Sequence, residues 1–345
     1  MPRTLVTGAT GFIGSRLVHA LLDRDDEVAC LARPTSHVTE LKASGVEVVT
    51  SADTDVDGIG RALRASFSGK GPECVIHLAG RTSALSLADF CEANETLVDR
   101  LCETAAGLDQ TPVVVVVSSL AAAGPSEPGS PHTESTLSAP ISDYGRSKLA
   151  GERAARRWAD RLPVTIVRPP VVFGPGDRGG LAMCQAIRRM GIHFTPQMQG
   201  LPLSVVYVDD LIEALIDVAQ RGERVLGDSS VEDDPTGLYY AADPSETSYA
   251  ELGRMAAEAM GRKVWVLNRR KYPLLVPAMI SDGWAKLRGK PSMFGMDKLR
   301  EASASGWVCD PSKLMDQLDW RPQNSIKERY LETIDWYRQS GWLPS

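Results

Sequence analysis

The chain has 345 residues, of which 43% are apolar and 24% charged, enough for a sizeable core in one or two packed domains and at odds with long disordered tracts or fibrous repeats. A net charge of −6 without any Lys/Arg block of five or more excludes the electrostatic footprint of a nucleic-acid partner. Cys30, Cys74, Cys91, Cys102, Cys184 and Cys309 lack C-x-x-C spacing and a histidine cluster, so neither a metal site nor a disulfide framework is expected. In chain order, β-type runs at 3–7, 27–32 and 74–78 are each followed by a helical pattern, at 15–22, 38–43 and 89–106. This alternation predicts βαβ units and a parallel sheet. The run "VVVVVSS" at 113–119 begins with five consecutive valines, as a central strand covered on both faces requires, and "VTIVRP" is the next strand. After Gly174 the pattern loosens, and only "VVYVDDLIEALIDVA" at 205–219 offers a further strand feeding a helix. The N-terminus carries no secretory signal pattern and no apolar run reaches about 18 residues, so a cytoplasmic location is expected.

The first turn, in "TLVTGATGFIGSRLV", places Gly8, Gly11 and Gly14 between a strand and a helix. Glycines there let backbone N–H groups and a helix N-terminus approach a pyrophosphate. The same spacing would also serve a plain tight turn, so other motifs must arbitrate.

T-G-x-x-G-x-x-G resembles the signature of the extended short-chain dehydrogenase/reductases, and further elements of that family stand at matching places. "HLAG" (77–80) is similar to its N/H-x-A-G element. Asn94, read as beginning a helix, takes the place of its structural asparagine. "YGRSK" supplies Tyr144-x-x-x-Lys148, "VRPPVVFGPGD" (167–177) resembles R-P-x-x-V-Y-G-P-G-D, and "VDDLIEA" (208–214) resembles a late strand-to-helix junction. The resemblance covers nearly the whole chain, most firmly residues 1–215. It implies an α/β extended Rossmann fold: a doubly wound parallel sheet from 1–173 and 205–227 that binds a dinucleotide, and a smaller C-terminal substrate-binding subdomain from 174–204 and 228–345.

For activity, the resemblance implies Ser119, Tyr144 and Lys148 as the catalytic group. Trading a proton with a substrate oxygen while hydride moves suits a tyrosine whose pKa, about 10 when free, is lowered by an ammonium. Tyr144 and Lys148, four apart, share one helix face. Ser119, at the strand end, would orient the substrate oxygen, in preference to Ser118. The cofactor would be held by Gly8, Gly11, Phe12, Ile13, Gly14, Arg33, Leu78, Ala79, Gly80, Thr82, Tyr144, Lys148, Pro170 and Val171. His77 is read as a structural strand-end histidine, Asp209 and Asp210 as helix caps, and His132 receives no role.

Cofactor choice turns on the end of the second strand, where NAD enzymes place a carboxylate about twenty residues after the glycines. Here stand Ala32 and Arg33, a cation suited to a 2′-phosphate, so NADP(H) is favoured with NAD(H) as the alternative. Ala52 replaces the family's adenine-contacting aspartate, with Asp53 one place later, leaving the adenine contact open. "SSLAAAGP" and "RPPVVFGPGD" look like the 3β-hydroxysteroid dehydrogenase and dihydroflavonol 4-reductase branch, which implies a bulky hydrophobic small-molecule substrate that is steroid-, flavonoid- or lipid-like. The apolar stretch 272–284, preceded by Arg269, Arg270 and Lys271, is read as a cap over an apolar pocket. The expected reaction interconverts a secondary alcohol and a ketone. A nucleotide-sugar epimerase/dehydratase and a non-catalytic dinucleotide-binding protein are the alternatives, and the sequence leaves open a homodimer and peripheral membrane contact.

Overall fold

The computed structural model describes residues 2–51, 55–195, 201–227, 234–268, 281, 284, 285, 287–289 and 295–344. Its strands are β1 (Arg3–Thr7), β2 (Glu27–Ala32), β3 (Glu47–Thr50), β4 (Cys74–His77), β5 (Val113–Val117), β6 (Val164–Arg168), β7 (Val171–Phe173), β8 (Ile192–Thr195), β9 (Pro202–Leu203), β10 (Val205–Tyr207), β11 (Leu238–Tyr240), β12 (Thr247–Ser248) and β13 (Trp265–Asn268). Among its helices are α1 (Phe12–Asp23), α2 (Thr39–Ala43), α3 (Val56–Ala65), α4 (Leu87–Cys91), α5 (Leu97–Ala106), α6 (Leu120–Ala123), α7 (Asp143–Arg156), α8 (Arg178–Met190), α9 (Val208–Arg221), α10 (Tyr249–Ala259), α11 (Met296–Ala302), α12 (Ser312–Leu318) and α13 (Ile326–Gln339).

Seven strands form one sheet in the order β11-β6-β5-β4-β1-β2-β3, every pairing parallel. The order in which successive strands are added switches sides between β1 and β4, and the strand ends there open the crevice in which such folds bind ligands. Alternate residues of a strand face opposite sides, so in β5 Val115 and Val117 enter the core beneath α1 and α9. Val114 and Val116 enter the opposite core, with α3, α5 and α7. That two-sided burial is why β5 is apolar throughout. A separate core joins α8, α10 and α13 around Phe173, Tyr330 and Tyr337. Among the described residues no helix is long and apolar enough to cross a membrane.

Three local readings need correction. Asn94 does not begin a helix: α4, a π-helical turn at Glu92–Thr96 and α5 run on without a break, with Asn94 inside the π turn. β11 supplies the sheet's seventh strand from within 228–345, and Leu314 and Leu318 of α12 pack into the core beneath it, so that segment is not wholly a separate subdomain. β3 and α3 escaped the sequence reading, β3 because it is only four residues long with partly exposed valines.

Asp209 and Asp210 are not caps. The residue preceding α9 is Tyr207, which makes no side-chain cap. Asp209 instead takes a two-pronged bond from Arg16, both contacts at 2.7 Å. Asp210 accepts from Arg329 at 2.7 Å, tying α13 to the sheet domain. Charged partners reaching in from distant helices outcompete the local backbone donors.

Candidate active site

Local chemistry at the strand ends builds the site. Gly8 adopts φ +72°, and a Cβ there would stand 2.7 Å from the Ala79 nitrogen. A Cβ on Gly14 would stand 2.2 Å from the Gly8 carbonyl oxygen. The glycines therefore let the β1–α1 turn close onto the β4 end, which a side chain would block. Gly11 precedes α1 and offers no side-chain cap, leaving the helix N-terminus with its dipole directed at the turn.

Around this turn lies a cavity of about 280 Å³. It is lined by the predicted Gly8, Gly11, Arg33, Leu78, Ala79 and Gly80, together with Ala32, Ser36, Ser51 and Arg81. Phe12, Ile13, Gly14, Thr82, Tyr144, Lys148, Pro170 and Val171 are not among its lining residues. Phe12 and Ile13 pack against the core under α1, and Val171 is half exposed at the surface. Ser51 was not singled out from the sequence. Its N–H donates to the Ala32 carbonyl at 3.1 Å, so it ends β3 beside the end of β2. The rule that ligands sit at carboxyl strand ends was the available signal. Ala52 and Asp53, on which the adenine contact turned, lie outside the described residues, as do Arg269, Arg270, Lys271 and the 272–284 cap apart from Ser281 and Trp284.

His77 bonds Thr7 Oγ1 through Nδ1 at 2.8 Å, and Nε2 is buried without a partner. Burial, reinforced by the nearby Lys148 ammonium, pushes its pKa down to about 3, so it is neutral at physiological pH. His132 bonds the Gly124 carbonyl at 3.1 Å, away from this crevice.

Ser119, Tyr144 and Lys148 come together beyond Gly80. The Ser119 side chain accepts the Ala121 N–H at 3.2 Å and so caps α6, and it is the polar neighbour that pulls the Tyr144 phenol toward a lower pKa. Ser118 is held elsewhere: its hydroxyl donates to Glu152, whose carboxylate takes a two-pronged bond from Arg168 at 2.8 and 2.6 Å. Both members of that ion pair are 2% exposed.

One electrostatic expectation fails. Tyr144 is not acidified; burial pushes its pKa up to about 12 and the Ser119 side chain only partly offsets this. Lys148 donates to the Val117 carbonyl at 2.8 Å, and burial lowers its own pKa to about 8, against the pull of Glu152. In a desolvated site the neutral phenol is the favoured form.

The π turn seats α7. Asn94 Oδ1 accepts the Arg81 N–H at 2.8 Å, while Nδ2 donates to the Arg81 carbonyl at 3.0 Å and to Ser147 Oγ at 2.9 Å. A Cβ on Gly151 would lie 2.1 Å from the Asn94 carbonyl oxygen, so α7 rests directly on the π backbone. Asn94 thus joins the loop after β4 to the helix of Tyr144 and Lys148.

The sequence model of the NAD dependent epimerase/dehydratase family matches residues 4–229. The chain belongs to that family. Ceramide reductase of Caulobacter vibrioides is 30% identical over 339 residues, 98% of this chain and 95% of the relative. Sterol demethylase protein B of Methylococcus capsulatus is 32% identical over 364 residues, 99% of each. The structure of UDP-glucose 4-epimerase from Thermus thermophilus in complex with NAD superposes with a TM-score of 0.73 at 25% identity, covering 97% of this chain and 99% of that one. The chain is accordingly an enzyme of the extended short-chain dehydrogenase/reductase type with an extended Rossmann fold.

In this epimerase/dehydratase-family enzyme, α11 is the part of the site that sequence reasoning missed. Asp297 accepts the N–H of Asp143 at 2.7 Å and of Tyr144 at 3.2 Å. Glu301 accepts from Ser142 Oγ at 2.6 Å, and Lys298 Nζ lies 4.9 Å from the centre of the Tyr144 ring. No local pattern marks these residues, which lie about 150 positions from the helix they support.

Proposed function

We propose that the protein is an NADP(H)-dependent oxidoreductase interconverting a secondary alcohol and a ketone on a bulky, hydrophobic substrate, with Ser119, Tyr144 and Lys148 as its catalytic group. The observation that carries the reading is that Tyr144 and Lys148 share one face of α7, with Ser119 acting on the Tyr144 phenol and Lys148 Nζ 4.0 Å from where a Cβ would stand on Gly80, a residue that lines the cavity. That cavity fits a dinucleotide: a Cβ at Gly8 would strike the backbone of Leu78 and Ala79, and the open N-terminus of α1 suits a pyrophosphate. Gly8, Gly11, Leu78, Ala79, Gly80 and Lys148 would hold it, with Arg33 and Ser36 at its 2′-phosphate end.

When bound, the nicotinamide supplies hydride chemistry. Tyr144, protonated because its pKa lies near 12, donates its phenolic proton to the carbonyl oxygen in the reductive direction. Ser119 orients that oxygen by hydrogen bonding. Lys148 offsets the negative charge left on the phenolate, and the reverse proton transfers serve alcohol oxidation. An apolar substrate is supported by the relatives named for a ceramide and a sterol. The 174–204 segment, with the parts of 228–345 outside the central sheet, would form its binding side, and a cytoplasmic location fits.

The test is turnover of NADPH with steroid-like, flavonoid-like and long-chain 3-oxo ketones beside UDP- and dTDP-sugars. Oxidation of NADPH by an apolar ketone is expected, falling about 100-fold or more in Tyr144→Phe while dinucleotide affinity is retained. Conversion of nucleotide sugars alone, with tightly retained NAD, would replace this reading by the epimerase one.

A further inference from the structure

Strands β8 and β13 pair in parallel apart from the central sheet, with Trp265 opposite Ile192, Val266 opposite His193 and Leu267 opposite Phe194. Residues sharing a register position in a parallel pair point to the same side, and the sides alternate along the strand. Ile192, Phe194, Trp265 and Leu267 therefore form one face, with His193 and Val266 on the other. The inward face is the one carrying His193. Its ring is buried, Nε2 bonds the Tyr249 carbonyl at 2.9 Å, and α10 packs so closely that a Cβ on Gly253 would lie 2.2 Å from the ring. The other face is left apolar and open: Trp265 is 75% exposed, Phe194 51%, and Met190, at the end of α8 just before β8, 54%.

Cations frame this ridge. Arg188 and Arg189 close α8, Arg262 and Lys263 lead into β13, and the stretches 183–195 and 259–268 contain no Asp or Glu, in a chain whose net charge is −6. No ion pair involves any of the four among the described residues. Glu258, the carboxylate before the second stretch, is held by Lys327 at 2.8 Å.

We propose that the β8–β13 ridge docks the protein on an anionic lipid bilayer. Trp265, Phe194 and Met190 would enter the headgroup boundary, where an indole is best placed, and the flanking cations would meet lipid phosphates. A second copy of the chain is a poorer occupant, because a two-fold contact through this face would set the two cation clusters against each other. The inference stands on the surface alone and needs nothing from the assignment of Ser119, Tyr144 and Lys148. If the substrate is lipid-like, docking also brings the enzyme to the phase in which that substrate dissolves.

The test is sedimentation of the full chain with vesicles of phosphatidylcholine alone or mixed with phosphatidylglycerol. Binding to the anionic vesicles only is expected, weakening as salt rises. Replacing two cations, Arg262→Gln with Lys263→Gln, should lower the partition coefficient about 25-fold, since each contributes roughly a factor of five. Phe194→Ala with Trp265→Ala should lower it at least as much, with an unchanged melting temperature showing that the exposed ridge is not needed for folding. NADPH affinity in solution should be the same in all variants, so a failed docking experiment and a failed catalytic assignment remain distinguishable. Absence of binding to anionic vesicles overturns the proposal, as does binding insensitive to both pairs of substitutions. A concentration-dependent dimer abolished by Trp265→Ala, without vesicle binding, would assign the ridge to a second copy instead.

Discussion

Asp297 receives the backbone N–H of Tyr144 at 3.2 Å through one carboxylate oxygen and that of Asp143 at 2.7 Å through the other. A carboxylate from a remote helix thus satisfies two of the donors that α7 leaves open at its start, on the favourable end of the helix dipole. Asp297→Ala should lower stability by about 0.5–2 kcal/mol, the usual range for a lost cap. If the contact also orients Tyr144, kcat should fall about ten-fold with unchanged dinucleotide affinity, and Asp297→Asn should restore part of it. Thermal melts together with steady-state kinetics check both arms.

Arg33 lines the cavity at the ends of β2 and β3 with Ala32, Ser36 and Ser51. With no carboxylate at residue 32 to repel a 2′-phosphate, Arg33→Ala should weaken NADPH by roughly 1.5–3 kcal/mol, the range for a charge-assisted hydrogen bond, and NADH by much less. Ala32→Asp should move the preference toward NADH. Dissociation constants for the two dinucleotides, measured by fluorescence titration, decide it; equal affinity in the parent protein would count against the NADP(H) preference.

Under the proposed mechanism, Lys148 and Tyr144 should set the pH profile. Burial lowers Lys148 to about 8 and raises Tyr144 to about 12, so on raising the pH the ammonium is lost long before the phenol. Reductive kcat/KM should be level from about pH 6 to near 8 and then decline as Lys148 deprotonates, although the phenolic proton is still present. Lys148→Arg, whose cation persists, should carry that alkaline limb upward. A limb with the same midpoint in the variant would assign the ionisation to another group.

His77 contributes an acid sensitivity unrelated to catalysis. Its pKa in the folded protein is lowered to about 3 by burial, against about 6.5 in an unfolded chain. Between these values the unfolded state binds a proton that the native state refuses, so stability declines as pH falls from about 6.5 toward 3 and is intact above that window. The full effect is on the order of a few kcal/mol. Chemical denaturation between pH 7 and 4 should show a shallower decline for His77→Asn than for the parent, whatever the change in stability at pH 7.

The sheet half of the molecule was legible in the sequence because its signals are local. Five consecutive valines in β5 follow from burial on both faces, and the spacing of Gly8, Gly11 and Gly14 follows from a turn that must close onto backbone. Tyr144 and Lys148 share a face by helix geometry alone. Signals this short survive without knowledge of what packs around them.

Other features depend on contacts between distant parts of the chain, and no local pattern encodes them. Asn94 sits in a π turn whose carbonyl is approached by α7 at Gly151, a contact between segments more than fifty residues apart. Asp209 and Asp210 resemble caps until Arg16 and Arg329 are brought beside them. β11 is three residues long, too short to show a period, and is a strand only because β6 offers it an edge. Ser118 is engaged by Glu152 of α7, itself paired with Arg168 of β6, a contact between distant parts of the chain that the pair of serines alone does not reveal. The tyrosine's protonation follows the same logic: a motif places an ammonium four residues away, but the pKa is set by how much water the packed chain removes from the phenol, and that is a property of the fold rather than of the motif.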